Sequence, residues 1–564
     1  MGDLSVKTKY LLMATATVAA FAAPAQAATK HVTKHKKTTR HVVHRAEPSR
    51  VSEEIAALRA EVADLRQRLS EQSAGSATVQ AQIATAQAQA ADARATAAAA
   101  QEQAAAATQQ LATAQADIGK RFAKAEHPDK IPFKGITITP GGFVELAAIY
   151  RDRNQQSDIA TRWQDLPFRN TGLARTHEGR FTARQSRVQF LAEGDASKTV
   201  HLAMFGEFDF QGAARTANSN ESNSYNPRIR NLYGTIDWKT SGGNGVHLLA
   251  GQNWSLATMN SKGITPRNET PPPTIEAQYV PGFVWARQPQ VRLTYDTFDH
   301  QLWFAVSAEN PQTTFFGTTT FPGRTVTFNA PGSGLFDANN NFSINHFPDV
   351  IGKAALETKV EGRTLHLEAF GIYRDFYQRI QLTGQPGANR GDHGYGVGGG
   401  GFVQLFPGVL DLQGSFLTGV GLGRYGSAQL PDVTFRPDGT ISPIREYMVL
   451  VGATVHPTKM LDVYVFAGRE KQRARAYPGG FGLGNPLLVN TNCDIEGGAC
   501  PANTKELQQI TGGVWQRLYQ GSWGRVQVGA QYIYTERDTL AGLNGVAPTA
   551  KQNMGLLSFR YYPF

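Results

Sequence analysis

The chain has 564 residues, 18% of them charged and 10% aromatic, with 57 Gly, two Cys and a formal net charge of +10. Two cysteines cannot staple a chain of this size, so a disulfide scaffold is excluded. A mean hydropathy of −0.34, with no long uncharged apolar run after residue 23, excludes a helical membrane anchor.

In chain order, Lys7 and Lys9 precede an apolar run from Tyr10 to Ala23, and Ala25-Gln26-Ala27 offers the small-x-small pattern that a signal peptidase accepts. An apolar core of about 14 residues is short of the roughly 20 that a membrane helix needs. Residues 1–27 therefore read as a secretory signal cleaved between Ala27 and Ala28. Export without a helical anchor leaves a closed barrel as the way such a chain resides in a bilayer.

Residues 28–50 are basic, and the stretch 30–45 holds six Lys or Arg, four His and no acid. So dense a block of like charge cannot bury itself and is expected to be disordered. It reads either as a contact for an anionic envelope polymer, such as cell wall or lipopolysaccharide, or as a solvated spacer. The four His have no fixed scaffold behind their spacing, so no metal site is assigned to them.

From Val51 a heptad begins, with Ile55, Val62 and Leu69 at a and Val51, Leu58 and Leu65 at d. Glu54 and Glu61 fall at g and Arg59 and Arg66 at e, the pairing of a parallel coiled coil. The register continues through Val79, Ile83, Leu111 and Ile118 among Ala, Ser and Gln, which favour helix but bury little. The pattern predicts a coiled coil over 51–122, with a weaker Ala-rich second half. Pro128 and Pro132 end it in a linker over 123–134.

Residues 135–564 are Gly-, Arg- and aromatic-rich with period-two stretches. Val200, Leu202, Met204, Phe208 and Phe210 alternate with His201, Ala203, Glu207 and Asp209, with Phe205 on the second face. Leu302, Phe304, Val306 and Ala308 alternate with Trp303, Ser307 and Glu309; Val526, Val528, Ala530, Tyr532 and Tyr534 alternate with Arg525, Gln527, Gln531, Thr535 and Arg537. An apolar face opposite one that accepts charge is what a membrane barrel needs, with lipid outside and water inside. About 430 residues at about 10 per strand plus loops accommodate 14 to 18 antiparallel strands, and 16 is the number assigned. Such a barrel encloses a lumen wide enough for water and solutes. Arg228 to Leu232 cannot be put in phase with Ile236 and Trp238, which predicts a bulge or a rim residue there. Cys493 and Cys500, in a polar Gly-rich stretch, are expected to form a local loop disulfide, unlinked thiols being the alternative.

The charge is unevenly placed: about +1 on 1–27, +6 on 30–45, about −2 on 46–130 and the remaining +5 on the barrel, mostly Arg. Arg184, Arg187, Arg228, Arg230, Arg292 and Arg374 are the candidate pore-lining, anion-selecting residues. A guanidinium stays charged and binds carboxylate or phosphate through two N–H groups. The alternative for each is a pair with a lumenal acid such as Glu193, Glu207 or Asp209. No HExxH or GxSxG is present, and the Gly run from His393 to Phe402 does not open a helix, so neither an enzyme nor a cofactor is assigned. Those glycines would let the strand curve or let a neighbour's aromatics approach. The basic block lacks a nucleic-acid module, and export removes that partner. The polar stretches 154–178, 212–226 and 311–348 are candidates for loops that fold into the lumen. The ending Ser558 to Phe564 carries four aromatics, as a closing strand in an interfacial aromatic girdle would.

Six segments, RQSRV (184–188), RIRNLYG (228–234), GQNWS (251–255), RQPQVR (287–292), GVGLGRY (419–425) and SFRYYPF (558–564), together resemble the DcaP-like porins. The resemblance implies a 16-stranded outer-membrane barrel, assembly as a homotrimer with a periplasmic extension, and diffusion of small anionic solutes, dicarboxylates above all. It also implies Arg at the constriction, lipopolysaccharide and lipid around the barrel, and recognition of terminal Phe564 by the barrel-assembly machinery. A different reading makes the barrel an anchor and residues 28–120 a tether to peptidoglycan.

Overall fold

The computed structural model describes residues 54–65, 77–123, 130–212, 226–240, 242–332 and 340–564. The expected signal, its cleavage site at Ala27 and Ala28, the basic block and most of the stretch 212–226 lie outside the described residues. Residues 1–126 and 127–564 are two separate compact units. In the first, residues 54–65 are helical and a long helix α1 spans Ala77–Ala123, rich in the strong helix formers Ala and Gln.

In the second unit, 16 long strands form the wall. They are β1 (Ile136–Arg151), β2 (Arg187–Ser197), β3 (Val200–Gly212), β4 (Asn226–Lys239), β5 (Gly245–Trp254), β6 (Arg287–Thr297), β7 (Leu302–Glu309) and β8 (Asp349–Val360). They continue as β9 (Arg363–Leu382), β10 (Ala388–Phe406), β11 (Leu410–Val420), β12 (Arg445–Thr458), β13 (Leu461–Gln472), β14 (Thr504–Gly521), β15 (Gly524–Thr539) and β16 (Thr549–Tyr562). Each pairs antiparallel with its sequence neighbours, and β16 closes on β1 from Val144↔Tyr561 to Arg151↔Met554. Closure leaves the wall without a free edge, the condition for a sheet in hydrocarbon.

The two ends of the barrel differ. At one end successive strands are joined by turns of two to five residues; at the other, connections run up to the 39 residues of 310–348. The Glu361-Gly362 turn, with both φ angles positive, has the backbone twist that a two-residue hairpin requires. Short turns at one end and long loops at the other are the asymmetry of outer-membrane barrels.

The outer surface follows the period-two phase. Leu202 and Met204 on β3, Val291, Leu293 and Tyr295 on β6, Phe304 and Val306 on β7, and Leu557 and Phe559 on β16 are all exposed. Phe205, the exception in the β3 alternation, is buried inside against Tyr233. The expected bulge is present: Glu207 pairs with Asn231 and Phe208 with Ile229, so Arg230 is the extra residue. Cys493 and Cys500 form a disulfide in the loop 473–503.

The structure adds three details to these expectations. The stretch expected as linker contains a strand, Ile131–Phe133, turned back on β1 through Lys134-Gly135. In the last strand Tyr561 takes the outward phase of Leu557 and Phe559, while Tyr562 turns inward, 5.1 Å from Phe143. The lumen is also not simply open water, because loops from the long-loop end fill much of it with packed apolar clusters. Loop segments that bring their own Leu, Ile and Phe can bury them against the inner wall, so an inward wall residue need not meet solvent.

Candidate functional site: a lumenal constriction

Two inward loops narrow the bore. The segment 255–286 leaves β5 and crosses to the far wall, held at intervals by wall side chains that accept from its backbone N–H groups. Leu256 donates to Glu309 on β7 at 2.7 Å, Asn260 to Glu368 on β9 at 3.1 Å and Gly263 to Glu357 on β8 at 2.8 Å. Farther round, Ile275 donates to Gln531 on β15 at 2.6 Å and Gly282 to Glu470 on β13 at 2.7 Å. The second loop, 421–444, is clasped in the same way: Leu422 N–H meets Glu446 at 2.7 Å and Ala428 N–H meets Glu470 at 2.9 Å. One carboxylate, Glu470, thus grips both loops. They also bond to each other, Trp285 N–H to the Tyr425 carbonyl and Ser427 N–H to the Phe283 carbonyl.

The Gly run of β10 makes room for this packing. A Cβ on Gly398 would fall 2.3 Å from Phe370, one on Gly394 2.8 Å from Phe376, and one on Gly400 2.8 Å from Met259 of the inward loop. The glycines admit neighbouring aromatics to the backbone, as their sequence suggested, and they seat the loop as well.

Against the inward loop 255–286, the inner faces of β2 to β4 and the first residue of β6 gather four arginines around two acids. Arg228 donates to Asp209 through two nitrogens, at 3.0 and 2.7 Å. Arg230 donates to Glu207 at 2.5 Å, to Asp209 at 3.0 Å and to the Tyr279 hydroxyl of the inward loop at 3.2 Å. Arg187 stands 3.6 Å from Glu207 and over the Phe143 ring, and Arg287 stacks on Trp254 at 4.7 Å. Nη1 of Arg287 has no hydrogen-bond partner among the described residues. Asp209 lies behind Arg228, whose side chain is 35% exposed while that of Asp209 is fully buried; Arg230 is itself buried, and Glu207 is covered about as well as Arg187. From the loop, exposed Arg267 adds a further cation, donating to the Tyr233 hydroxyl at 3.3 Å.

The potential of this cluster registers on Tyr279. Burial alone would push its hydroxyl up, but Arg230, Arg187 and Arg287 outweigh burial and hold it down at about 8. On the same loop, burial pushes Glu276 up to about 7 against the pull of Arg151, although Thr161 and Gln278 donate to it.

The six arginines singled out in the sequence therefore separate. Arg187 and Arg228 reach the lumen, and Arg184, in the turn before β2, bonds to the carbonyls of Phe210 and Gly212 and lies 3.4 Å from Asp158. Arg230, Arg292 and Arg374 point inward as their phase required but do not line open space. Arg292 is sealed against Gln290 and the Trp254 carbonyl. Arg374 clamps Asp349, Asp432 and the carbonyls of Gly421 and Gln312, tying β8 and two loops to β9. Arg287 was missed because strict alternation puts it in the outward phase of Val291 and Leu293, whereas at the strand's first residue it is turned onto Trp254; its signal was its place in RQPQVR. The inward loop 255–286 was missed too, while 154–178 and 311–348 do send Trp163, Phe321 and Phe328 into buried packing.

The turn end of the lumen carries a different chemistry. His247 on β5 lies between Asp237 of β4 and Asp296 of β6, 2.7 Å from each. His456 on β12 lies between Asp411 and Asp462, and His366 between Glu357 and Glu368. Among the described residues no group of His, Cys, Asp and Glu is placed to hold a metal ion.

No family model matches the sequence and no curated protein matches it. Solved structures similar to it include OmpT of Vibrio cholerae, an outer membrane protein, at 10% identity, covering 77% of this chain and 99% of that one with a TM-score of 0.38. An anion-selective porin from Comamonas acidovorans matches at 11% identity over 76% of this chain and 99% of its own, TM-score 0.40. Salmonella typhi OmpF, solved with daunomycin, matches at 11% identity over 77% and 100%, TM-score 0.39. The class, a closed 16-strand antiparallel barrel with an apolar exterior, follows from this chain's own strand pairing and exposed side chains.

Proposed function

We propose that this protein is an outer-membrane porin of the DcaP-like kind, a non-enzymatic channel through which small anionic solutes diffuse past an Arg-lined constriction. The observation that carries the reading is the gathering of Arg187, Arg228, Arg230 and Arg287 around only two acids, Glu207 and Asp209, with Arg187 and Arg228 reaching the lumen. Four cations to two carboxylates leave the cluster net positive, and Arg187 and Arg228 carry that charge to the lumen, which raises local anion concentration and repels cations. Dicarboxylates are the solute class that the resemblance to the DcaP-like porins implies, and guanidinium groups suit carboxylates. Export through a signal over 1–27, assembly as a homotrimer and a coiled-coil periplasmic extension complete the proposal.

Reversal potentials across a planar bilayer under a KCl gradient test it. Anion sign is expected, and succinate should pass faster than glucose. A cation sign in the unaltered protein overturns the reading.

A further inference from the structure

The outer surface of the barrel carries a feature that conduction does not use. Strands β12 to β15 enclose a groove of about 470 Å3 on their outward face, floored by Val449, Val451, Ala467 and Ile510. Ala467 opens it, because this short side chain sits in register between Val451 and Ile510. A second groove of about 560 Å3 over β14 to β16 and β1 repeats the pattern, with Gly512, Ala530 and Gly555 between larger side chains.

At the loop end of the first groove the apolar floor gives way to charge. Arg469 and Lys471, two positions apart on β13, both point outward and both lie over the ring of Tyr447, at 5.8 and 5.9 Å. Glu506 on β14 pairs with Arg469 and stands 3.4 Å from Lys471; its side chain is 2% exposed, while those two cations are 44% and 26% exposed. One carboxylate is shared by two cations. At this edge β12 to β16 carry Arg445, Arg469, Lys471, Lys505 and Lys551 against Glu506, Glu536 and Asp538. By contrast the outward run of β6 and β7 is Val291, Leu293, Tyr295, Phe304 and Val306, without charge.

We infer that this groove is a binding site for a phosphorylated glycolipid of the loop-side leaflet, its phosphate on Arg469 and Lys471 and an acyl chain along Ala467. A surplus cation at the upper edge of a hydrocarbon-facing surface is stable when an anion neutralises it. The apolar trough below gives the chain attached to that anion a place to lie. The inference rests on the proposed residence of the barrel in the outer membrane, with its long loops outward.

The test uses the full-length protein in detergent, titrated with diphosphoryl lipid A and followed by native mass spectrometry. The triple variant Arg469→Gln, Lys471→Gln, Glu506→Gln leaves no carboxylate orphaned and should weaken binding about tenfold or more, from the loss of two cation contacts near the headgroup. Ala467→Trp should weaken it with all charges intact, by filling the trough. Dephosphorylated lipid A should bind the unaltered protein poorly. Anion selectivity should be unchanged in both variants, so loss of anion selectivity in the unaltered protein would strike the porin reading and leave this measurement standing. Unchanged lipid A binding in either variant overturns the inference, as does equal retention of the dephosphorylated lipid. A change in subunit number with Ala467→Trp, lipid binding being kept, also overturns it and assigns the groove to a second copy of the chain.

Discussion

Two parts of the inner wall use the same residue types for opposite purposes. On β2 to β4 the acids hold arginines: Asp209 takes Arg228 and Arg230, and Glu207 takes Arg230 and faces Arg187. From β7 round to β13 the acids hold backbone: Glu309, Glu357, Glu368, Glu446 and Glu470 accept N–H groups of loops that enter the lumen. The first wall keeps Arg187 and Arg228 open to the lumen and is net positive, while the second is covered. An inward carboxylate therefore has no set meaning; what it faces decides whether it tunes the charge of the bore or its width. Arg374 belongs to the second group although its sequence context matches the first.

The contrast can be broken most forcefully at Arg374. Arg374→Met leaves Asp432 buried without its cation and Asp349 with Arg424 alone, at 3.3 Å, and removing one partner of such a buried cluster costs about 3–5 kcal/mol. The melting temperature should fall steeply, whereas Arg228→Gln, at a half-exposed site, should leave it nearly unchanged. If the two melt alike, the distinction between clamp and lining is wrong.

Next in size is Glu470→Leu. Two buried amides, of Gly282 and Ala428, lose their acceptor at about 1–3 kcal/mol each. Both loops should loosen together, seen as larger and noisier single-channel conductance with weaker ion discrimination. Conductance equal to that of the unaltered channel would show that the loops do not set the bore.

On the first wall, neutralising Arg187, Arg228 and Arg287 together to Gln should cut the anion-to-cation permeability ratio, each charge contributing about 1 kcal/mol in a partly hydrated lumen. Arg292→Gln should leave that ratio alone, since Arg292 is sealed beneath the Trp254 carbonyl. Equal effects at exposed and sealed positions would erase the comparison.

The smallest effect is one of pH. Burial raises Glu276 to about 7, so its protonated form is favoured in the folded loop. A raised acid contributes stability that is full below its unfolded value and is lost as pH rises through about 7. Loop 255–286 should thus be quieter in acid than in mildly alkaline solution, and Glu276→Gln should flatten the dependence of channel noise on pH. A variant with the original pH profile would assign the effect to another group.

Much of the wall was legible because lipid and water impose a period of two on every strand. The alternations at Val200–Asp209, Leu302–Glu309 and Arg525–Arg537, the bulge at Arg230 and the loop disulfide all have local signatures. The reach of each inward side chain was not legible. Arg187 and Arg292 look alike as alternating strand arginines, yet a loop covers one and not the other.

By itself the sequence determined a barrel of about 16 strands, the outward phase of its regular strands, and an inner face rich in arginine, since alternation follows from neighbours a few residues apart. Only the tertiary structure decided which arginines reach the lumen. That depends on amide-to-carboxylate clasps such as Gly282 to Glu470 and Asn260 to Glu368, which join residues more than a hundred positions apart and leave no periodic trace in the chain.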